Sequence, residues 1–492
     1  MLTPELAKGF VRVALANMDL EQNDLDGARK MISDYTATHD KDRARRRAMI
    51  SSYLGTTVEY YDFLLYGTAA SLVFPTLFFH ELSPTAATIA SFATLAVGYL
   101  ARPIGGVIFG HFGDKFGRKN ILIITLVMMG GVSFLIGLLP TQQTIGMAAP
   151  ILLVTLRIIQ GFAVGGEWAG AALMSMEHAA PKGRGFAASI VASGGPSGAV
   201  LATMVLTAFS VLPDEQFLAW GWRVPFLLSA ILVIIAFFMR MRVTESPEFV
   251  AAMEVKAAQA AADKAANKIA PKAKAPLLTV LRHYPRQTLE AVVGGLAPLF
   301  IQSLLATFML TYAVSAGHSR TSALILVTVA NAIHILTIPA FAALSDRVGR
   351  KPVMVAGAIA GAVLIFPIFA LVGQGSWWAL LLAFVLGNPV VQALMYGPMG
   401  AWMSEKFPAD SRYTGVALSY QVSSTLGAGL APLVATALLA ATGGTSVTPI
   451  AILFVVLCVL SGITFLFSKE TAGAELALTT EQRVDLEAAA LR

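Results

Sequence analysis

Gly110-His111-Phe112-Gly113-Asp114-Lys115-Phe116-Gly117-Arg118-Lys119 is a charged, glycine-punctuated run between two long apolar segments. A shorter copy, Ser345-Asp346-Arg347-Val348-Gly349-Arg350-Lys351, stands in the second half of the chain. Both carry Asp followed at the same offsets by Gly-Arg-Lys. A second repeated mark pairs Glu177 with Arg184 and Glu405 with Arg412, again at one spacing. Together the marks align the second to fifth apolar spans on the eighth to eleventh. The chain reads as a duplicated bundle of membrane helices with a loop repeated in each half.

Composition agrees. The chain has 492 residues, 56% hydrophobic and 13% charged, with a mean hydropathy of +0.70. Soluble domains carry about 25% charged residues and rarely hold apolar runs of roughly 18 residues, of which this chain has many. An all-α, polytopic membrane protein follows. Cys458 is the single cysteine, so no disulfide forms within the chain and no thiolate metal site is supported. The seven histidines are scattered and no Gly-x-x-x-x-Gly-Lys-Ser/Thr loop is present. No cofactor, no metal and no enzyme or nucleotide-driven pump is expected. The net charge of +6 lies in loops and tails and does not point to nucleic acid.

Twelve spans are predicted, at 48–79, 86–109, 120–139, 147–177, 186–211, 222–241, 288–313, 321–344, 353–373, 376–403, 413–441 and 447–467. The even-numbered loops hold Lys115, Arg118, Lys119, Lys182, Arg184, Arg347, Arg350, Lys351, Lys406 and Arg412. The odd-numbered loops are nearly free of basic residues, Arg320 and Arg223 excepted. Basic loops stay cytoplasmic, which predicts both termini in the cytoplasm. The domain reading is a cytoplasmic N-terminal extension (1–47), a six-helix bundle (48–241), a cytoplasmic linker (242–287), a second six-helix bundle (288–468) and a cytoplasmic tail (469–492). The extension ends in Arg43-Ala44-Arg45-Arg46-Arg47, a topological anchor, and lacks the apolar core of a signal peptide. Two similar halves suit a solute site that opens to either side as the halves rock.

Charges inside a span cost about 2.5–3.5 kcal/mol each on insertion scales. Five stand in the first half: Glu59 and Asp62, Arg102, Arg157 and Glu167. Glu59 and Asp62 share a helix face. Counting about 1.5 Å per residue puts Asp62 and Arg157 near mid-bilayer, Glu59 somewhat lower and Arg102 and Glu167 lower still, so Asp62–Arg157 and Glu167–Arg102 are the expected pairs, with Glu59 free to join either. Ionised, the five sum to −1, and one proton neutralises them. Proton coupling is one reading; a static lattice locking the helices is the other. The second half offers neutral groups instead: Gln302, Ser303, Thr307, Asn331, His334, Asn388, Gln392, Tyr396, Tyr420 and Gln421. They serve either a hydroxylated or carboxylate solute or polar contacts between helices. Gly165-Gly166, Gly194-Gly195-Pro196, Pro298, Pro339, Pro389 and Pro398 are candidate breaks and kinks.

These residues resemble the major facilitator superfamily over nearly all of 48–468. Gly110–Lys119 is similar to its loop signature between the second and third helices. Arg157-Ile158-Ile159-Gln160-Gly161 resembles the Arg-x-x-Gln-Gly signature of proton-coupled members. Glu59-Tyr60-Tyr61-Asp62-Phe63, Leu65-Tyr66-Gly67, Arg102-Pro103-Ile104-Gly105-Gly106, Gly165-Gly166-Glu167-Trp168 and Glu245-Ser246-Pro247-Glu248-Phe249 resemble the bacterial metabolite:proton symporters. That group takes up shikimate, α-ketoglutarate, citrate, proline and glycine betaine.

The resemblance implies a transporter in a bacterial cytoplasmic membrane, with a small organic acid or zwitterion (shikimate first) and a proton as its partners in the lipid bilayer. A monomer is the expected unit. Implied proton-coupling residues are Glu59, Asp62, Arg102, Arg157 and Glu167. Implied gating residues are Asp114, Arg118, Glu177 and Arg184, with Asp346, Arg350, Glu405 and Arg412 as a weaker copy that lacks the leading glycine. Expected solute contacts are Tyr66, Arg157, Gln160, Gln302, Asn388, Gln392, Tyr396 and Tyr420. A proton-driven efflux antiporter and a non-transporting solute sensor remain as alternatives.

Overall fold

The computed structural model describes residues 49–116, 118–165, 167–177, 183–241, 276–408 and 412–473. The expected extension, most of the expected linker and most of the tail lie outside these residues. The architecture is twelve membrane-length helices. The first half holds α1 (49–72), α2 (Pro84–Phe116), α3 (Arg118–Leu138), α4 (Ala148–Val164, then Glu167–Glu177), α5 (Arg184–Ala192, then Gly194–Ser210) and α6 (Arg223–Met241). The second half holds α7 (Pro285–Ser315), α8 (Arg320–Val348), α9 (Arg350–Val372), α10 (Trp377–Glu405), α11 (Arg412–Ala441) and α12 (Thr448–Phe467). Among the described residues ten helices are long and apolar enough to cross a bilayer, with Ile123–Leu138 a shorter apolar helix; α1, which carries Glu59 and Asp62, completes the twelve.

Helix is the only open-chain form that satisfies every backbone group in lipid, and local chemistry sets the ends. Proline occupies the first turn of α7 and α12, where its missing N–H costs nothing. Ser319 caps α8 by accepting from the Ser322 N–H at 3.1 Å. The repeated loops fall at matching helix junctions. In the first, α2 ends at Phe116 and α3 starts at Arg118. In the second, α8 ends at Val348 and α9 starts at Arg350, with Gly349 between them at φ 100°. Only glycine adopts that angle without strain, which is why the copy keeps it.

The glycine-rich stretches of α4 and α5 do interrupt those helices, at Gly165 and at Ser193. In α7, α10 and α11 the helix widens into a π turn, at Leu304–Phe308, Leu386–Gln392 and Thr425–Gly429. Pro389 sits inside the second of these. Its absent N–H and its ring displace the local ladder, and a π turn absorbs the displacement.

Lipid tails give helices no hydrophobic reason to associate, so close packing must hold them together. Gly161 and Gly165 of α4 face α2 with the small-xxx-small spacing. A Cβ on Gly161 would strike the Gly98 carbonyl, and one on Gly165 would strike the Arg102 carbonyl. The α2–α4 contact is therefore backbone on backbone. It brings Arg102 and Arg157 into one neighbourhood.

The halves touch at both ends of the bundle. At the end bearing the two copied loops, here the basic end, Asp346 of α8 accepts from the Gly185 and Phe186 N–H groups at 3.0 and 2.9 Å. At the far end Arg320 of α8 pairs with Asp214 ahead of α6 at 3.1 Å. Between them Thr328 Oγ1 donates to Thr203 Oγ1 of α5 at 2.6 Å. α2 and α11 meet through Thr425 Oγ1, which donates to the Tyr99 carbonyl at 2.9 Å. α1 and α7 meet through Ser71 Oγ, which donates to the Thr307 carbonyl at 3.1 Å. With contacts along three helix pairs and at both ends, the conformation is closed.

Candidate functional site

A cavity lies between the halves. Glu59, Tyr60, Phe63, Leu64 and Gly67 of α1 and Tyr99 and Arg102 of α2 form one wall. Leu299, Gln302, Ser303 and Thr307 of α7 and Tyr420, Ser424 and Ala428 of α11 form the other. The space open to the centres of water-sized spheres is about 20 Å³. One sphere needs about 10–15 Å³, whereas small-molecule pockets run to roughly 300–1,000 Å³. The cavity holds a water or so in this closed state and must widen to admit a solute.

Of the expected solute contacts, Gln302 and Tyr420 line this cavity. Tyr396 stands one hydroxyl away, in a phenol cluster beside it. Tyr66, Arg157 and Gln160 lie behind the α1 wall. Asn388 and Gln392 lie in the second half, off the cavity lining, where Gln392 Oε1 is 2.7 Å from His334 Nε2. Ser303 and Thr307 also reach the lining, just before and within the π turn at Leu304–Phe308.

Behind the first wall is a buried polar cluster around Asp62 and Arg157. Asp62 and Arg157 are 0% and 1% exposed, and neither is among the residues that line the cavity. Asp62 and Arg157 are near enough to act on each other electrostatically, but they do not form an ion pair within contact distance. Both Asp62 oxygens lack a hydrogen bond of normal geometry, with Ser133, Ser229 and Arg157 as their polar neighbours. Arg157 Nη1 donates to Gln160 Oε1, and Gln160 Nε2 donates to Ser133 Oγ at 2.7 Å. Ser133 therefore keeps its own proton for Asp62. Ser229 spends its proton on the Phe226 carbonyl at 2.7 Å, which leaves its oxygen able to accept. One neighbour offers a donor and the other an acceptor, so the cluster suits Asp62 with or without a proton.

Aromatic rings pack against both guanidinium groups. The Arg102 guanidinium carbon lies 4.4 Å from the Phe63 ring centre and 4.2 Å from that of Tyr99. Arg157 lies 4.7 Å from the Phe63 ring centre and 4.1 Å from that of Tyr66. A cation over a ring face is attracted by the ring quadrupole, most strongly where water is excluded. Phe63 and Tyr99 are functional candidates that pattern reading passed over. The available signal was the i, i+3 spacing of Tyr99 and Arg102 and the place of Phe63 directly after Asp62.

Towards the basic end the cavity floor is aromatic and spans both halves. The Tyr60 hydroxyl is 3.0 Å from that of Tyr420 and 3.2 Å from that of Tyr396. Trp168 stacks on Tyr420 at 3.5 Å, nearly parallel. Gln421 Nε2 donates to the Gly165 carbonyl at 2.8 Å, which occupies a backbone acceptor exposed by the break in α4.

Below that floor is the second-half charge network. Arg350 Nη1 pairs with Asp346 at 2.6 Å, and its Nη2 pairs with Glu405 at 3.1 Å. Arg184 lies close enough to Glu405 to act on it electrostatically. Arg412 Nε donates to the Phe407 carbonyl at 3.2 Å. Glu470, past α12, caps α9 by accepting from the Arg350 and Lys351 N–H groups at 2.9 and 3.1 Å. Burial pushes its carboxyl upward, but backbone donors from Ala472, Arg350, Lys351 and Thr471 outweigh that and hold it below the usual range. The side chains of Asp114, Arg118 and Glu177 lie outside the described residues.

The sequence matches the sugar (and other) transporter family over residues 48–482. The chain belongs to that family. It is a multi-pass transporter of the major facilitator superfamily and not an enzyme. The shikimate transporter of Escherichia coli (strain K12) is 41% identical to it over 432 residues, 87% of this chain and 95% of the relative. The glycine betaine/proline/ectoine/pipecolic acid transporter OusA of Dickeya dadantii (strain 3937) is 34% identical over 443 residues, 90% of this chain and 86% of the relative. Among solved structures, the proton:xylose symporter XylE bound to 6-bromo-6-deoxy-D-glucose has a TM-score of 0.68 at 20% identity. That match covers 91% of this chain and 99% of the other, and it is a likeness of fold.

Proposed function

We propose that this transporter takes up a small, anionic, hydroxylated acid together with a proton, with shikimate as the first candidate. The observation that carries the reading is that Arg102 lines the cavity while Asp62 is buried off it. Arg102 opens on the cavity, where a carboxylate would meet it in a bidentate pair. Gln302, Ser303, Thr307 and Ser424 on the opposite wall suit hydroxyl groups. Asp62 sits in the buried cluster behind, flanked by a donor and an acceptor, as a proton carrier. The identity to the Escherichia coli shikimate transporter supports an acid. A quaternary amine is disfavoured because Arg102 and Arg157 already cover the faces of Phe63, Tyr99 and Tyr66.

In this reading both termini are cytoplasmic and the protein works as a monomer in a bacterial cytoplasmic membrane. Glu59, Arg157 and Glu167 complete the coupling set. Asp346, Arg350 and Glu405, with Arg184 and Arg412, form an inner gate over the tyrosine floor, alongside Asp114, Arg118 and Glu177. Uptake into proteoliposomes under an imposed pH gradient tests the function. The panel is labelled shikimate, α-ketoglutarate, citrate, proline and glycine betaine, each with and without a protonophore. Protonophore-sensitive accumulation of an acid is expected. Accumulation of none of the five refutes the reading, efflux driven by the gradient favours an antiporter, and binding without flux favours a sensor.

A further inference from the structure

We propose that Phe63 is the positioning residue that couples solute to proton, because its single ring carries both the cavity-facing Arg102 and the buried Arg157. This rests on the symport reading above and names the group through which the cavity and the buried cluster communicate. Both guanidinium carbons lie within 5 Å of the ring centre, at 4.4 and 4.7 Å. Like charges so close repel, and Arg102 is among the charges that act on Arg157. Arg157 also leaves its Nε and Nη2 groups without hydrogen-bond partners, so it is held by rings and by Gln160 and is not locked by a carboxylate. The close backbone contact of α2 and α4 at Gly98 and Gly161 keeps the two guanidinium groups near one another.

The coupling has a definite sign. A carboxylate in the cavity pairs with Arg102 and cancels its charge. The field at the ring falls, and Arg157 settles onto Phe63 and Tyr66. Asp62, with Ser133, Ser229 and Arg157 as neighbours, then loses cationic influence and holds its proton more tightly. By reciprocity a protonated Asp62 strengthens acid binding by the same factor. Acid and proton thus favour each other, as symport requires. Tyr99 touches Arg102 and Tyr66 touches Arg157; Phe63 is the ring common to both.

The test measures acid affinity against pH in purified protein, using shikimate or whichever panel acid the native protein accumulates. For the native protein, Kd is expected to weaken at least tenfold between pH 6 and pH 8. Phe63→Leu keeps the apolar bulk and removes the ring, and should flatten that change to under threefold. Phe63→Tyr should restore it. Tyr99→Leu should weaken affinity while keeping the tenfold pH dependence. If Phe63→Leu does not fold, Phe63→Met takes its place. A ringless variant that keeps the native pH dependence overturns the proposal, as does a Phe63→Tyr or Tyr99→Leu variant as flat as Phe63→Leu. A native protein whose affinity ignores pH refutes the symport reading itself, which is a different result.

Discussion

Replacing Asp346 by Asn tests whether the basic end is held shut as the geometry implies. Asp346 accepts two N–H bonds from the first turn of α5 and one from Arg350. Hydrogen bonds to a charged group contribute about 1.5–3 kcal/mol and neutral ones about 0.5–1.5 kcal/mol. The amide of Asn also turns one acceptor into a donor facing other donors. The closed state should lose about 2–4 kcal/mol relative to a state open at this end, where water meets the same groups. At about 1.4 kcal/mol per factor of ten, the open population rises on the order of 30-fold to several hundred-fold. Cys458 is the single cysteine, so Cys458→Ser gives a clean background. Ala188 is buried beside Ala401 across the interface, and Ala188→Cys reports opening through its reaction with a membrane-impermeant maleimide. Asp346→Asn should raise that rate at least 30-fold and Asp346→Glu much less. A change under threefold refutes the latch.

Three further outcomes are expected. Asp62→Asn should reduce gradient-driven accumulation to the equilibrium level while counterflow exchange stays within about threefold; normal accumulation would remove Asp62 from coupling. Gly161→Ala should cost about 1–3 kcal/mol through overpacking against α2, whereas Gly131→Ala, with open space at its Cβ, should be neutral or mildly stabilising; equal melting midpoints would contradict the contact. Glu470→Gln should lower stability by about 1 kcal/mol, the usual loss for a helix cap, partly screened by solvent. Because the native carboxyl is held below 4.5, its contribution is complete above about pH 4.5 and fades as pH falls further. A wild-type-to-variant difference in melting that grows on acidification contradicts that sign.

The membrane topology was legible because length and hydropathy alone decide which segments can cross a bilayer. Ends moved by a few residues where local chemistry intervened, as at Pro84, Pro285 and Gly349. The charge cluster was legible as a cluster, since every charge far from a helix end stands in α1, α2 or α4. Its pairing was not. Matched depth brought Asp62 and Arg157 into one neighbourhood, but depth says nothing about contact geometry. Arg157 packs on Phe63 and Tyr66, and rings can stabilise a desolvated guanidinium that a sequence reader assigns to a carboxylate. The cavity lining was legible only in part for a related reason. These helices are apolar all round, so the 3.6-residue period carries little facing information, and each π turn rotates the residues beyond it. Gln302 lines the cavity whereas Asn388, inside such a turn, does not.

The wall of α7 and α11 across from Arg102 contributes no charged side chain to the cavity, only amides, hydroxyls and apolar groups on helices loosened by π turns. On the proposed reading, contacts to the solute's hydroxyl groups and the proton-coupling groups sit on different helices, with Arg102 shared between the two tasks. Exchanging Gln302, Ser303, Thr307 or Ser424 reshapes what fits without altering the electrostatic balance among Phe63, Arg157 and Asp62. A single engine in one half can serve many cargoes, and retooling this carrier for another acid is a matter of recutting one wall.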